Sequence, residues 1–263
     1  MAALNLKCFG VGDGSANAER NHSAFFYQFA NAAFLIDCGE PLSKSYKASG
    51  LSYEAFDHIF ITHLHSDHAA GFFMFLQSLW LEKRKRPLTV YMPASAIGPV
   101  RQMLETAYLF EEVLPFPLRL EPLQNGRAIE FGEMRVTPYL TTHLANFRRK
   151  FEAKHAVGFE AFCFLMESAG CRIGHSGDLG SPADLQPLLS DSLDLLVCEL
   201  AHFSPESLFS SLGGKGLKQL ALVHLDAKNW NAQAKVLELA AKQLPGVAVS
   251  IPHDQDAIAL RVK

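Results

Sequence analysis

The segment that decides the fold is Phe60-Ile61-Thr62-His63-Leu64-His65-Ser66-Asp67-His68. An apolar strand predicted over 58–62 leads into it, and apolar residues recur at helical spacing over 67–83 after it. His63 and His65 are two residues apart, so in an extended chain both side chains point the same way. Imidazoles and a carboxylate this close together suit a borderline ion such as zinc. Because the flanking residues are apolar, we interpret the segment as a metal site and not as a surface histidine tract.

Composition bounds the fold class. The chain has 263 residues, of which 49% are hydrophobic and 19% charged, so a single domain over 1–263 could bury a large core. The formal net charge of −3 provides no overall basic field that would attract nucleic acid. Two local basic runs, 83–86 and 148–150, are interpreted as solvated faces.

Cysteine usage points to a reducing compartment. Five cysteines are scattered along the chain without a Cys-x-x-Cys pair, a pattern typical of free thiols. The N-terminus lacks the basic start and apolar run of a signal peptide, and no apolar stretch has the length of a membrane span. We therefore expect a cytoplasmic protein that does not associate with a membrane.

Strands and helices are mixed in two strand-rich halves. One hairpin is predicted over 23–37, and a second turns at Ser168-Ala169-Gly170. Helices are predicted over 67–83 and 231–244, the latter with Asn231 as its N-cap. Hairpins this frequent do not suit a single parallel sheet. The prediction is an α+β fold of the αββα type, in which two facing mixed sheets carry helices on the outside.

Three further metal-ligating side chains are predicted at the ends of strands. His143, Asp178 and His224 each follow an apolar segment. Any one of them alone would be interpreted as a structural residue at a strand terminus. The six residues 63–68 cannot complete two tetrahedral metal sites, however. The three further side chains together supply the ligands that this segment lacks.

The order of these residues resembles the metallo-β-lactamase superfamily. The resemblance covers nearly the whole chain and rests on Asp37, the His63-x-His65-x-Asp67-His68 motif, His143, Asp178 and His224. It implies two divalent ions, in the first place Zn²⁺, with Mn²⁺ or Fe²⁺ as alternatives. One ion would be held by His63, His65 and His143. The second would be held by Asp67, His68 and His224, and Asp178 would bridge the two.

The resemblance also implies a mechanism. Two divalent ions would lower the pKa of a bridging water and stabilise the charge that develops on the attacked group. Asp67 would both bind metal and orient the nucleophile. Asp37 would orient a metal-ligating histidine. A homodimer is a further expectation from the superfamily.

The motif context looks like that of the tRNA 3′-processing endonuclease and its phosphodiesterase relatives. Glu199, at the end of another buried strand, resembles the acidic residue that positions a catalytic histidine in those nucleases. His202 is then a candidate general acid for the leaving oxygen. A supporting or merely exposed histidine is an equally good interpretation of His202.

The chain departs from those nucleases in two ways. The segment between His143 and Asp178 holds two strands and leaves no room for a protruding arm, and the downstream His-Ser-Thr element is missing. We therefore expect a small-molecule or nucleotide-like anionic substrate, with nucleic acid as a less favoured alternative. The basic stretch 147–154 could cap the pocket, but a solvated loop is the preferred interpretation.

Three alternatives to a metal-dependent phosphodiesterase stay open. The same metals could hydrolyse a carboxylic ester, lactone, thioester or lactam. A single iron could support an oxygenase, since sulfur-oxidising relatives share the motif. The third alternative is a non-catalytic metal-binding module, although the full set of ligands argues against it.

Overall fold

Fourteen strands form two seven-stranded sheets in a computed structural model that describes residues 3–168 and 170–261. The strands are β1 (Ala3–Gly10), β2 (Ala24–Gln28), β3 (Ala33–Ile36), β4 (His58–Phe60), β5 (Leu88–Met92), β6 (Leu118–Pro122), β7 (Ile129–Phe131), β8 (Met134–Leu140), β9 (Phe162–Ser168), β10 (Cys171–His175), β11 (Leu195–Leu200), β12 (Gln219–Leu225), β13 (Ala248–Ser250) and β14 (Ala257–Arg261). The first sheet has the order β14-β1-β2-β3-β4-β5-β6, and the second has the order β13-β12-β11-β10-β9-β8-β7.

Helices connect the strands at several points along the described chain. They are α1 (Leu42–Ser49), α2 (Ser66–Ala69), α3 (Gly71–Leu81), α4 (Ile97–Thr106), α5 (Ala145–Phe151), α6 (Pro205–Leu212), α7 (Ala227–Asn231) and α8 (Gln233–Gln243). One apolar core packs α1, α3 and α4 on the first sheet, a second lies between the sheets, and a third packs α6 and α8 on the second sheet. The predicted αββα sandwich of two mixed sheets is confirmed.

The two sheets share a pattern of strand directions that sets the position of the site. In each sheet three consecutive pairs of strands are antiparallel and the other three are parallel. The parallel strands β3 and β4 of one sheet, and β10, β11 and β12 of the other, all end at the same edge of the sandwich. Side chains that follow these strand ends therefore converge, as they do in other sheets with parallel strands.

The helix predicted over 67–83 is two helices in the structure, α2 and α3. The second begins at Gly71, where an added Cβ would lie 2.6 Å from the carbonyl oxygen of Gly39 and 2.7 Å from that of Cys38. Helix α3 can approach the loop after β3 this closely because residue 71 has no side chain. Periodicity alone could not reveal the break, since both helices contribute apolar residues to the same face.

The helix predicted over 231–244 also differs from the structure. Asn231 is the last residue of α7, and α8 starts at Gln233. The capping side chain is Asp226, whose carboxylate accepts a 2.7 Å hydrogen bond from the backbone N–H of Asn229. The prediction of Asn231 as an N-cap was wrong because an additional helical turn precedes it.

The second predicted hairpin is formed by β9 and β10, with Ala169 of its turn outside the described residues. The basic stretch 147–154, expected to be a solvated loop, instead lies largely within α5. No helix in the described ranges combines the length and apolarity needed to cross a bilayer.

Candidate metal centre

Seven side chains meet where the strand ends converge. We call them the donor cluster: His63, His65, Asp67, His68, His143, Asp178 and His224. His63 follows β4, His143 follows β8, Asp178 follows β10, and His224 lies at the end of β12. Asp67 and His68 lie in α2. All seven predicted ligands are therefore brought together in space.

Asp178 lies between two groups of nitrogen donors. Its Oδ2 is 3.7 Å from His63 Nε2 and 3.6 Å from His143 Nε2. Its Oδ1 is 3.2 Å from His68 Nε2 and 3.6 Å from His224 Nε2. Each carboxylate oxygen thus faces a different group of histidines, as a bridging ligand requires.

The donor cluster fits divalent metal ions. Nε2 of His63, Nε2 of His68 and Oδ1 of Asp178 are buried and have no hydrogen-bond partner in the described chain. Buried polar atoms without partners are rare and call for a ligand. Tetrahedral ligands of Zn²⁺, at about 2.0–2.1 Å from the ion, lie about 3.4 Å from one another, which is close to the separations around Asp178.

The remaining donors close each group. His143 Nε2 is 3.1 Å from His65 Nδ1, and His224 Nε2 is 3.1 Å from Asp67 Oδ2. The first group is therefore His63, His65, His143 and Asp178, and the second is Asp67, His68, Asp178 and His224. A candidate site for divalent metal is present, as the sequence predicted.

Asp37 holds His68 from behind. This fully buried carboxylate has its Oδ2 2.6 Å from His68 Nδ1, which leaves His68 Nε2 directed into the donor cluster. It also accepts hydrogen bonds from the backbone N–H of Thr62, at 2.7 Å, and from the Thr62 hydroxyl. The Asp37 backbone has φ of 61°, a strained conformation for a non-glycine residue that often occurs at functional sites.

Thr62 contributes to the site, although no role was predicted for it from the sequence. Its hydroxyl lies 3.0 Å from His63 Nδ1 as well as within hydrogen-bond distance of Asp37. Thr62 therefore links the support of one donor group to that of the other. Its position directly before His63 is the signal that could have identified it.

Metal binding needs neutral imidazoles and ionised carboxylates; the pKa shifts of His63, His143 and Asp178 favour these states, whereas His68 would lose a proton when an ion binds. Burial lowers the pKa of His63 well below its usual value and lowers the pKa of His143 to about 4. Burial acts to raise the pKa of Asp178, but the neighbouring histidines, His224 first, hold it well below its usual range. Burial disfavours the charged form of His68, yet the carboxylates of Asp178 and Asp37 outweigh it and raise the pKa of His68.

Glu199 and His202 lie beside the donor cluster. His202 Nδ1 is 2.8 Å from Glu199 Oε1, and the imidazole ring of His202 is 4.7 Å from that of His143, between ring centroids. Burial lowers the pKa of His202, but the hydrogen bond to Glu199 and its charge raise it above the usual value overall. The His202 side chain is 35% exposed, so its free edge can reach a bound molecule.

A third group of donors, Glu199, His202 and His224, is also close enough to hold an ion. Both oxygens of Glu199 already accept hydrogen bonds. Oε1 accepts from the backbone N–H of Leu179, and Oε2 accepts from the backbone N–H of Ala201 and His202. We therefore interpret Glu199 as a residue that positions His202, and not as a metal ligand.

Two other features lie near the site. The glycine-rich loop 10–14 lies at the rim, where an added Cβ at Gly14 would be 3.3 Å from Asp67 Oδ2. His175 has its Nδ1 2.9 Å from the hydroxyl of Tyr27 on the facing sheet, so this histidine links the two sheets.

The family of the chain is shown by a match over most of its length. The family model described as anti-Pycsar protein Apyc1 matches residues 4–197. The chain belongs to this family.

Ribonucleases Z are among the similar proteins. The enzyme of Methanothermobacter thermautotrophicus is 25% identical over 306 aligned positions, which cover 99% of this chain and 97% of that protein. The enzyme of Archaeoglobus fulgidus is 33% identical over 128 residues, which cover 49% of the present chain. That second match spans only 40% of the Archaeoglobus protein. Among solved structures, the metallo-β-lactamase fold protein YhfI from Bacillus subtilis matches with a TM-score of 0.75 and 16% identity, covering 98% of this chain and 99% of that one.

These comparisons confirm the predicted metallo-β-lactamase fold and the resemblance to the tRNA 3′-processing branch. They also agree with the predicted class, a metal-dependent hydrolase of phosphodiester bonds. The class rests on the names of the relatives together with a donor cluster of the required composition.

The predicted preference for a small-molecule or nucleotide-like substrate over nucleic acid was wrong. Relatives that match this family member are ribonucleases, whose substrate is a nucleic acid. The prediction relied on the missing arm between His143 and Asp178 and on the missing downstream His-Ser-Thr element. An arm is a binding element separate from the donor cluster, so its absence removes one contact surface and does not change the bond that the cluster can hydrolyse.

Proposed function

We propose that this chain hydrolyses a phosphodiester bond in RNA with two divalent ions, and that these ions are Zn²⁺. The observation that carries the proposal is the position of Asp178, whose two oxygens face two separate groups of histidine nitrogens at 3.2–3.7 Å. A nitrogen-rich donor set favours Zn²⁺ over the oxygen-preferring Mn²⁺, with Fe²⁺ as a further alternative.

Each ion would have its own set of ligands, with Asp178 shared. His63, His65 and His143 would hold the first ion. Asp67, His68 and His224 would hold the second. Bound divalent ions supply Lewis acidity toward a phosphoryl oxygen and lower the pKa of a nearby water.

The side chains around the ions would handle the protons. Burial acts to raise the pKa of Asp67, but hydrogen bonds from His224 and His68 hold it far below its usual value. Asp67 is therefore ionised at neutral pH and can accept a hydrogen bond from the attacking water, which orients it. His202, held by Glu199, would donate a proton to the leaving oxygen.

Helix α5 supports a polyanionic substrate. It follows His143 directly, and the ring of Phe147 lies 5.9 Å from that of His65, between centroids. Its last turn carries three exposed basic residues, Arg148, Arg149 and Lys150. An aromatic side chain beside basic ones is the usual surface for single-stranded nucleic acid, where bases stack and phosphates meet positive charge.

We also propose that the protein works in the cytoplasm. All five cysteines are free and buried, an arrangement suited to a reducing compartment.

The test combines metal analysis with hydrolysis. We expect about two zinc ions per purified chain, cleavage of an end-labelled RNA and of bis-(p-nitrophenyl) phosphate, and loss of both activities on chelation with recovery on adding Zn²⁺. Asp178→Ala should lower metal content and activity together. Asp191→Ala, at an exposed carboxylate, serves as the control.

Each alternative gives a different result. One iron per chain without hydrolysis would indicate the oxygenase, and turnover of carboxylic esters or lactones alone would indicate the other hydrolase class. Turnover of bis-(p-nitrophenyl) phosphate without cleavage of RNA would support phosphodiester hydrolysis but contradict RNA as the substrate. Absence of bound metal after reconstitution would contradict the ligand assignment.

A further inference from the structure

An apolar groove of about 360 Å³ opens beside the donor cluster. Leu64 lies between His63 and His65 in the sequence, and Leu144 directly follows His143; both line the groove. The groove and the donor cluster are thus built from the same two loops. None of the seven donors lines the groove itself, so a molecule whose reacting group sits at the cluster would reach the groove past Leu64 or Leu144.

The lining of the groove is aliphatic and partly open to water. On its inner side, Val100 of α4 is buried and Phe73 of α3 is half-buried. Met103 and Val157 line it as well and are 51% and 60% exposed. A concave, mostly apolar surface of this size with a few polar groups is the usual form of a ligand site.

Among the residues that line the groove, the charged one is Glu160. Ser95 holds it in place, since the Ser95 hydroxyl donates a 3.1 Å hydrogen bond to Glu160 Oε2. Within the described ranges, the hydrogen bonds to Glu160 use Oε2, which leaves Oε1 to accept from a ligand. Gly158 allows this arrangement, because an added Cβ there would lie 1.9 Å from Ser95 Oγ.

Apolar walls and a single acceptor suit a flat heterocycle that carries an amino group. The faces of a nucleobase can pack on aliphatic side chains, and its exocyclic amino group can donate to a carboxylate, as it does to Glu and Asp in other nucleic-acid complexes. In RNA a base lies within one nucleotide of every phosphodiester. Leu64 and Leu144 place the groove one residue away from metal-binding histidines in the chain, so a base is the part of the substrate that would reach it.

We propose that the groove lined by Leu64, Met103, Leu144 and Val157 binds the nucleobase next to the scissile phosphodiester, with the amino edge of the base directed at Glu160. The proposal rests on the proposed function and names the part of the substrate that the site recognises. It assigns specificity to residues that do not bind metal.

The kinetic test uses two phosphodiesters with the same leaving group. Adenosine 5′-(p-nitrophenyl) phosphate carries a base, and methyl p-nitrophenyl phosphate does not. Val157→Glu places a second carboxylate among the apolar walls and should reduce the preference in kcat/KM for the adenosine compound about tenfold, the size of one lost base contact. Leu81→Glu is the matched control, since Leu81 is equally exposed, at 60%, but faces a different groove, between α1 and α3.

The acceptor role of Glu160 has its own test. Inosine has the shape of adenosine but carries an oxygen where adenosine has the amino group. Glu160→Gln introduces an amide that can donate as well as accept, so the preference for adenosine over inosine should narrow. An unchanged preference would overturn the assignment of Glu160 to the amino edge.

A binding measurement separates this proposal from the proposed function. In protein labelled at the methionine methyl groups and loaded with Zn²⁺, adenosine 5′-monophosphate should shift the NMR signal of Met103. Met74 is 53% exposed in the groove between α1 and α3 and serves as an internal control. Val157→Glu should abolish the shift of Met103, and circular dichroism checks that this surface variant is folded.

The outcomes are distinct. A shift of Met103 in a protein that hydrolyses neither phosphodiester would keep the base site and reject the proposed function. Hydrolysis with the same base preference in Val157→Glu, and no shift of Met103, would overturn the base site while the proposed function stands. A shift of Met74 in place of Met103 would move the base to the other groove and would also overturn the proposal.

Discussion

Two histidines of the donor cluster are held by residues outside it. Asp37 fixes His68 through Nδ1 at 2.6 Å, and Thr62 lies 3.0 Å from Nδ1 of His63. In both histidines the other nitrogen is the one directed at Asp178. The orientation of these ligands is therefore set by the residues that contact their second nitrogen. Substitution of those residues can alter metal binding without removing a ligand.

The variant Asp37→Asn tests this dependence. The amide can still accept a hydrogen bond from His68 but lacks the negative charge, so affinity for the ion held by Asp67, His68 and His224 should fall about 10–100-fold. The other ion should be affected less, because Asp37 contacts no ligand of that group directly. Competition with a chromophoric chelator measures the affinity for each of the two ions.

Asp191→Asn, at an exposed carboxylate, controls for the change of charge. Equal weakening of both ions, or no weakening, would contradict the role assigned to Asp37.

His202 is tested by the leaving group. If His202 donates the proton, His202→Ala should reduce kcat on RNA, whose leaving alkoxide needs protonation, by about 10²–10⁴-fold. Hydrolysis of bis-(p-nitrophenyl) phosphate should fall far less, since p-nitrophenolate leaves unaided. Metal content should stay at the wild-type value, as His202 lies outside both donor groups. His253→Ala, an exposed histidine elsewhere, is the control, and equal losses on the two substrates would remove the general-acid role.

Secondary-structure elements place the site through their ends and through the loops that join them. The loop after β3 contacts α2 and α3 directly: the backbone N–H of Cys38 donates to the carbonyl oxygen of His68 at 2.7 Å, and Gly71 starts α3 against Cys38 and Gly39. This contact fixes α2, which carries Asp67 and His68, relative to Asp37. A shift of α3 would therefore be transmitted to the donor cluster.

The pair Gly71→Ala and Gly98→Ala measures the close approach. At Gly71 the new Cβ would meet two backbone carbonyl oxygens at 2.6 and 2.7 Å, so we expect a loss of about 1–3 kcal/mol in the free energy of unfolding. Gly98, in the first turn of α4, has open space around an added Cβ, but Pro99 follows it and offsets the helix propensity that alanine gains, so the free energy of unfolding should change by less than about 1 kcal/mol. Denaturant unfolding of metal-free protein gives both values. Similar effects at the two positions would show that α3 can move away from the loop.

The sequence predicted the site better than it predicted the elements around it. Polar residues that follow apolar strands can be recognised in the sequence. All seven predicted ligands converge at one edge of the sandwich. Helix breaks are not visible in the same way, because the break before Gly71 depends on a carbonyl group 32 residues earlier in the chain, that of Gly39. Helix α5 was predicted as a loop since its basic run shows little apolar periodicity and, as an exposed helix, it buries no residue in the core.

The role of Thr62 and the cross-sheet contact of His175 were also hidden. Both depend on partners that the fold brings close. Tyr27 and His175 are far apart in the sequence, and only the packing of one sheet on the other places the hydroxyl 2.9 Å from the imidazole.

At the scale of the molecule, the two halves are interlocked. Strand β14, from the end of the chain, pairs with β1 in the first sheet. The core between the sheets is built from both, as where the rings of Phe60 and Phe164 lie 5.6 Å apart between centroids. We therefore propose that residues 1–263 form a single domain, in which neither sheet keeps its inner face buried without the other.

The cysteines report on this proposal because they are divided between the sheets. Cys8 lies in β1 and Cys38 follows β3, whereas Cys163, Cys171 and Cys198 lie in β9, β10 and β11. Burial raises the pKa of Cys8 and of Cys163 to about 12, and that of Cys171 to about 11. The thiolate is the reactive form, so a raised pKa leaves almost none of it at pH 8 in the folded protein.

All five thiols should therefore resist a disulfide reagent at pH 8 in the native protein and become reactive together in one denaturant transition. The midpoint should coincide with that of circular dichroism, as for a two-state domain. Mass spectrometry of the labelled peptides identifies which cysteines react at each denaturant concentration. If Cys8 and Cys38 reacted at a different midpoint from the three cysteines of the second sheet, the halves would unfold independently. The shared core would then stabilise each sheet less than the packing between sheet and helices on its own outer face.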